Sequence, residues 1–340
     1  MARARGTKQP VANDRFLPLG VVTNLRAGKN RAGRYHRRRL ENILGAFGLV
    51  RESAMAESLP AILREFHRAG VQAIGVNGGD GTFGELLPAI MEIWPLDRLP
   101  ALLPLCGGTM NMVAGEYGMH GNPASLLERF VRAVAGRGER LGCFPQKTLR
   151  VECSTFGRPR YGFVWAMGMA HSFLREYYRR GSPSVWNAFS TTTGLIAGGP
   201  LPLERFRGAW RTVPAEVSVD GEKLPIERVR IAVAAVLNKL VLWFSPFAEG
   251  VGEKERGFGF MLNHMEMPQV FRHLWPLCRG RYHGPGHLSR VVQRVEMTLH
   301  DGFVLDGEIF SPGERVQVTL SLGPMVSMLA FAGGRLLASL

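Results

Sequence analysis

The sequence predicts an α/β domain with a mostly parallel sheet, followed by a β-rich, β-sandwich-like domain that carries a helical insertion. Three observations support this. From Leu19 to about Val134, strand-like and helix-like apolar runs alternate, as they do when crossover helices join parallel strands. From about Arg140 the pattern changes to apolar or alternating runs joined by turn residues. At 340 residues, the chain also exceeds the size that one hydrophobic core usually serves.

The elements follow in order. A polar tail precedes a strand at Leu19 to Thr23. A helix is expected from Arg31 to about Phe47, with Leu40, Ile43, Leu44 and Phe47 at helical spacing. A second runs from Met55 to His67, with Leu59, Ile62, Leu63 and Phe66 as its apolar stripe. Strand Val71 to Val76, helix Phe83 to Ile93, strand Leu102 to Cys106 and a helix from Met110 to about Tyr117 come next. Pro123 suits the first position of a helix that runs through Leu126, Leu127, Phe130 and Val134. Beyond Arg140, strands are expected at Thr148 to Cys153, Arg160 to Trp165, Pro214 to Val219, Val229 to Leu237 and Val291 to Leu299. Helical stretches at His171 to Tyr178 and Trp186 to Ile196 interrupt them. Strands Arg315 to Leu320 and Met325 to Phe331 close the chain after a Pro-Gly turn.

The chemistry concentrates at two glycine junctions. Gly75-Val76-Asn77-Gly78-Gly79-Asp80-Gly81-Thr82-Phe83-Gly84-Glu85 sits between an apolar strand and a helix. Glycines there let a ligand approach exposed amides, and the helix N-terminus favours phosphate. Asp80 is the unusual member, because a carboxylate repels phosphate. It fits a group that holds a metal ion or takes a proton from an attacking hydroxyl; the plain alternative is a helix N-cap. One βα unit later, Gly107-Gly108-Thr109-Met110-Asn111-Met112 follows a short buried strand. Both loops should lie at one edge of the sheet, where open α/β folds bind ligands. Neither is a nucleoside-triphosphatase P-loop or a full dinucleotide fingerprint.

These residues resemble the diacylglycerol kinase catalytic-domain superfamily, which includes bacterial lipid kinases and sphingosine kinases and is distantly related to NAD kinases. Val21 to Lys29 is similar to its opening strand and Asn-containing turn, Gly78-Gly79-Asp80-Gly81-Thr82 to its signature, Gly108-Thr109-Met110-Asn111 to its second glycine loop, and Asp306-Gly307-Glu308 to its late Asp-Gly-Glu. The resemblance implies a nucleotide-binding domain over 15–138, an acceptor-side domain over 139–325, and a C-terminal segment, 326–340, that returns to the first domain. It implies ATP and Mg²⁺ as cofactors and phosphoryl transfer to the hydroxyl of a lipid or lipid-like alcohol, of diacylglycerol or sphingoid type. A soluble acceptor such as NAD, or a nucleotide- or lipid-binding protein without catalysis, are the alternatives. Asp80 and Glu308 would be catalytic. Asn24, Lys29, Gly78, Gly79, Gly81, Thr82, Gly108, Thr109, Asn111 and Asp306 would contact the nucleotide. Metal ligands are left unassigned.

The sequence also departs from that pattern. Met112 stands where bacterial lipid kinases place an Asp, and Arg140 replaces an acidic residue associated with structural metal. An acidic residue expected soon after Gly168 is missing, with His171 near its place; an imidazole there would suit proton transfer. Gly257-Phe258-Gly259-Phe260 is similar to a Gly-rich turn of the family, without its Asp. Asp-Gly-Glu occurs twice, and Asp220-Gly221-Glu222 reads as a hairpin turn.

Composition sets the remaining expectations. The formal charge of +14 points to anionic partners, which are nucleotide phosphates, an anionic membrane surface or nucleic acid, or to an ordinary solvated arginine-rich face. No nucleic-acid module accompanies it. Cys106, Cys143, Cys153 and Cys278 lack Cys-x-x-Cys spacing, so reduced thiols are expected. The first residues lack a signal peptide's apolar stretch, and the longest apolar run, Ile231 to Phe244, is interrupted by Asn238 and Lys239. A cytoplasmic protein is expected, with peripheral contact at the inner membrane face; a homodimer is left open.

Overall fold

The structure, a computed structural model, describes residues 18–31, 33, 37–53, 58–179, 211–238, 240, 244–247, 257–313 and 315–331. The expected helical stretch Trp186 to Ile196 lies outside these residues. The chain opens with β1 (Leu19–Asn24), α1 (Arg37–Leu44), β2 (Gly48–Ser53), α2 (Leu59–Arg68), β3 (Ala73–Asn77), α3 (Asp80–Ile93), β4 (Ala101–Pro104), α4 (Met112–Glu116) and α5 (Pro123–Val134). Strands β4, β3, β1 and β2 lie side by side in that order, all parallel. Every residue of β3 is buried, as a strand covered by helices on both faces requires. Helix α5 starts where the sequence places it, because Asn122 and Ser125 form a reciprocal capping box and Pro123 occupies the first turn.

The second half contains β5 (Leu141–Cys153), β6 (Arg160–Gly162), β7 (Val164–Gly168), α6 (Met169–Arg179), β8 (Val213–Val219), β9 (Glu222–Lys223), β10 (Arg228–Val229), β11 (Ile231–Ala235) and β12 (Phe258–Asn263). Then come α7 (Met267–Arg272), α8 (Leu274–Cys278), β13 (His287–Val292), β14 (Arg294–Leu299), β15 (Phe303–Leu305), β16 (Glu308–Phe310) and β17 (Val316–Phe331). A six-stranded antiparallel sheet runs β13-β12-β11-β7-β15-β16. The other strands extend the first sheet to eleven, along β10-β8-β14-β17-β4-β3-β1-β2. Strand β17 makes the join. It pairs antiparallel with β14 and β5 and parallel with β4, where Met328 faces Leu102. The C-terminal strand therefore packs back onto the first domain. One apolar core spans both halves, from Phe66, Ile74 and Phe83 to Phe163, Trp165 and Phe303.

Among the described residues the chain changes sheet three times without a loop, at Phe163 between β6 and β7, at Arg230 between β10 and β11, and at Gln293 between β13 and β14. Amides at such points leave one ladder and need another acceptor. At Arg230 the amide donates to the Asn263 carbonyl at 2.8 Å; at the other two crossings an aspartate supplies the acceptor. Asp306 accepts from the amides of Phe163 and Val164 at 2.8–3.0 Å, and Asp220 from those of Gln293 and Arg294 at 2.8 Å. Each Asp amide also donates back at 2.9 Å, to Val164 and Arg294 respectively.

Some expected elements are corrected. The first α-helix is described over Arg37–Leu44 and runs on as a 3-10 turn, Gly45–Phe47, while Gly48–Ser53 is an edge strand that only Val50 and Ser53 anchor by burial, too polar to read as one. Helix α4 starts at Met112, because Asn111 adopts a left-handed backbone (φ 51°). Phe258 to Phe260 lie in a fully buried strand and do not form a turn. The run Val291 to Leu299 is split at Gln293, and the last two strands form one, with a register shift between Leu322 and Met325.

Gly20 in β1 lies against Phe66, and a Cβ there would meet the ring at 2.5 Å. Phe66 is fully buried and has nowhere to move. Gly20→Ala is expected to cost about 1–3 kcal/mol by overpacking, read as a lower urea midpoint with unchanged slope. Gly115→Ala, in α4 with open space around it, should be neutral or stabilise by up to about 1 kcal/mol.

Candidate active site

The loops after β1, β3 and β4 emerge at the carboxyl ends of adjacent parallel strands and hold one another directly. The Lys29 amide donates to the Gly107 carbonyl at 3.0 Å, and the Gly108 amide to the Gly78 carbonyl at 2.8 Å. The Asn30 carboxamide donates to the carbonyls of Asn24 and Asn77, each at 2.9 Å. Asn24 donates to the Thr82 hydroxyl at 3.0 Å. Asn111 folds back on Gly108, donating to its carbonyl and accepting from its amide. The glycines make this approach feasible: a Cβ on Gly108 would lie 2.3 Å from the Gly79 Cα. Packing does not ask for glycine at Gly81, where a methyl group would sit 3.5 Å from the Asp306 carbonyl oxygen, an ordinary contact.

Asp80 begins α3 from this knot and is buried. Its Oδ1 accepts the Val113 amide at 3.1 Å, so it caps the start of α4 as well. Burial holds its carboxyl above the ordinary range, although the amides of Val113, Met112 and Asn111 pull the other way. The second sheet brings Asp306 against the same helix, its Cβ 3.7 Å from where a Cβ on Gly84 would be. Burial pushes the Asp306 carboxyl up to about 8, and the charges of Asp80 and Glu308 add to this. Glu308 is half-buried and raised by burial, drawn down by Arg160 and up by Glu85. Asp80, Asp306, Glu308 and Glu85 thus form an acidic line, with Arg160 and Arg26 beside it; Arg26 lies 3.8 Å from Glu85.

A groove of about 590 Å³ follows α3 outward from Glu85. Leu59, Pro60, Pro88, Ala89 and Phe156 give it apolar walls, and Arg158 and Arg160 give it cations. The Arg160 guanidinium lies 5.5 Å from the Phe156 ring centre and 5.6 Å from that of Phe310.

The structure therefore gathers Asn24, Gly78, Gly79, Asp80, Gly81, Thr82, Gly108, Asn111, Asp306 and Glu308 in one region, with Thr109 and Lys29 on its loops. It also shows how several are used. Both carboxylate oxygens of Asp306 go to backbone amides, the Thr82 hydroxyl is buried against Asn24, and the Lys29 ammonium donates to the Gly121 carbonyl at 3.1 Å. His171 is buried elsewhere, its Nδ1 3.6 Å from Asp301 and its Nε2 3.4 Å from the Ser311 hydroxyl; burial lowers its pKa. Among the described residues, no group of three or more His, Cys, Asp or Glu is arranged to hold a metal.

Sequence reasoning assigned no role to Asn30, Asn77, Glu85 or Gly162. Asn30 and Asn77 tie the loops together, and their Oδ1 atoms are buried with no hydrogen-bond partner. Gly162 must lack a side chain, because a Cβ there would lie 2.5 Å from Asp306 Oδ2. Spacing signals none of these long-range contacts.

Three parallel βα loops, a buried aspartate at a helix start and an Asp-Gly-Glu turn from a second sheet define a phosphotransferase-type fold. Residues 18–139 match the diacylglycerol kinase catalytic domain. Over that stretch, about the first third of its length, the chain is similar to the diacylglycerol kinase catalytic domain. Solved structures from Bacillus anthracis str. Sterne share its fold. A candidate diacylglycerol kinase superposes with a TM-score of 0.62 at 15% identity, over 94% of this chain and 98% of that one. A second candidate gives 0.61 at 13% identity, over 94% and 99%. A structure described as a diacylglycerol kinase gives 0.58 at 12%, over 94% and 98%. A comparison with curated proteins returned no match.

The raised Asp306 carboxyl has a consequence for stability. Unfolded, it titrates near 3.8; folded, near 8. Between these values the folded chain holds a proton that the unfolded chain lacks, so raising the pH removes stability until about pH 8. Asp306→Asn keeps an acceptor for both amides and cannot titrate. Its melting temperature relative to wild type should therefore rise from pH 5 to pH 8 and level off above that, which thermal melts across pH will show.

Proposed function

We propose that this protein transfers the γ-phosphoryl group of ATP to the hydroxyl of a lipid or lipid-like alcohol, of diacylglycerol or sphingoid type. The observation that carries this reading is Asp80, a buried carboxylate set where three glycine- and asparagine-bound loops meet the Asp306 turn. Amides of the glycine loops and the N-terminus of α3 supply hydrogen-bond donors for phosphate. The groove beside α3 suits the adenosine, with apolar walls for a base and arginines for the phosphate side. Asp80 takes the proton of the attacking hydroxyl, and a pKa raised by burial makes its ionised form a stronger base. Asp306 positions Glu308 and keeps the second sheet against α3.

Mg²⁺ binds through one or two carboxylates plus substrate phosphates. The hard oxygen donors of Asp80 and Glu308 fit that demand, and the ion would supply charge neutralisation for the transferred group. Peripheral contact with an anionic membrane would give access to an acceptor dissolved in it.

The test is phosphate transfer by purified protein with ATP and Mg²⁺, against diacylglycerol, sphingoid base, ceramide, phosphatidylglycerol and NAD. Transfer to one of the lipids is expected. Asp80→Asn should lower turnover by about 100-fold or more, the scale of a positioned acid–base group, with nucleotide affinity little changed, because Asn still accepts the Val113 amide. Equal rates in folded wild type and variant would remove Asp80 from the chemistry. No transfer by wild type would leave a nucleotide-binding protein.

A further inference from the structure

Most large apolar side chains in the described fold are covered, yet Trp275 on α8 is 60% exposed. Its neighbours explain how the helix is held without it. Val270 and Leu277 are buried and pack with Met265, and Phe271 and Tyr282 lie against that cluster. Trp275 on α8 is exposed, and so are Arg272 in α7 and Arg279 and Arg281 just after α8. The Arg279 guanidinium lies over the indole ring at 4.5 Å. Cation–π contact of this kind holds the ring in place while both groups remain accessible.

The charge around this face is mainly basic. Glu266 caps α7 and Glu296 pairs with Arg294, but from Met267 to Val295 the sequence has no Asp or Glu, and it carries Arg272, Arg279, Arg281, Arg290 and Arg294. Among the described residues, no ion pair engages Arg272, Arg279 or Arg281. An exposed indole surrounded by arginines, on an amphipathic helical corner, has the composition of a membrane–water interface segment. Indoles settle at the headgroup level, and arginines pair with anionic headgroups. No helix among the described residues is long and apolar enough to cross a membrane, so contact through this face would be from one side.

We infer that the α7–α8 corner is a docking surface for an anionic lipid bilayer, with Trp275 entering the headgroup layer and Arg272, Arg279 and Arg281 pairing with lipid phosphates. An anionic bilayer is favoured over a nucleic acid because the exposed ring sits among half-buried Leu274 and Pro276, an apolar knob with basic flanks. The inference rests on the membrane contact invoked in the proposed function and assigns it a surface; because it is tested by binding, its failure is distinguishable from failure of phosphate transfer at Asp80.

The test is co-sedimentation of the full chain with vesicles of phosphatidylcholine alone and of phosphatidylcholine mixed with phosphatidylglycerol, at low and high salt. Wild type should bind the anionic vesicles at low salt, bind neutral ones much less, and be released by salt. Each arginine removed should weaken binding roughly fivefold, so Arg279→Ala/Arg281→Ala should lose about 25-fold. Trp275→Ala should bind less tightly and be released at lower salt. Arg137→Ala/Arg140→Ala, which removes the same charge from an exposed turn after α5, should bind within about twofold of wild type. Thermal melts verify that all variants are folded. Equal weakening by the Arg137/Arg140 pair would reduce the effect to net charge and overturn the assignment. So would unchanged binding in the Trp275 and Arg279/Arg281 variants, or failure of wild type to bind anionic vesicles.

Discussion

The fold turns on the carboxylate of Asp306. The chain passes from the large sheet to the small one at Phe163, and two consecutive amides there need acceptors that neither ladder provides. Leaving them unpaired inside the core would cost on the order of 1–3 kcal/mol each. Asp306 satisfies both, and the geometry has consequences. Gly162 must be glycine to admit the carboxylate. The turn that carries Asp306 is drawn against the first turn of α3, which places Glu308 beside Arg160 and near Glu85. The same bonds that let the chain change sheets therefore bring the acidic groups of the second sheet to the glycine loops of the first.

The two Asp-Gly-Glu segments show that a motif's chemistry comes from its surroundings. Both are two-residue hairpin turns with positive φ at both central positions: 52° and 86° at Asp220 and Gly221, 48° and 86° at Asp306 and Gly307. Asp-Gly suits this turn because its twist matches that of the flanking strands. Both aspartates cap a strand that changes sheet. Asp220 does so at the surface. Asp306 does so buried, with Asp80 and Glu308 in reach of its field. Turn chemistry accounts for the residues in both places, and only the second location gives them a further use.

Much of this was legible in the sequence, and what was not has a physical reason. The parallel strands around β3 and the helices behind them follow from apolar periodicity, since each buries a continuous face. The glycine junctions were readable because strand, glycines and helix start fall within a dozen residues. Edge strand β2 was not, because an edge strand in mostly polar sequence buries too little to show a period. The length of β17 was hidden by the register shift near Gly323, which looks like a turn in one dimension. Asn30 and Gly162 could not be found, since each acts on a partner that only the folded chain brings near. The roles first given to Thr82 and Asp306 as direct nucleotide contacts meet side chains whose polar atoms already serve the loops and the crossover.

The electrostatics of the site run against those of the molecule. A chain with a formal charge of +14 gathers Asp80, Glu85, Asp306 and Glu308 in one place. The overall field favours the approach of anions such as nucleotide phosphates. Close to the loops, the carboxylates oppose them, and burial raises the cost of keeping those carboxylates ionised. Raised pKa values at Asp80, Asp306 and Glu308 express that cost. Such an arrangement is uneconomical for a loop that only turns a corner, because Asn would cap α3 about as well as Asp without the charge. It suits a site where a proton or a cation must be taken up close to phosphate. The glycine loops can then be close-packed for stability and still present amides outward, while Asp80 is held at the joint between them.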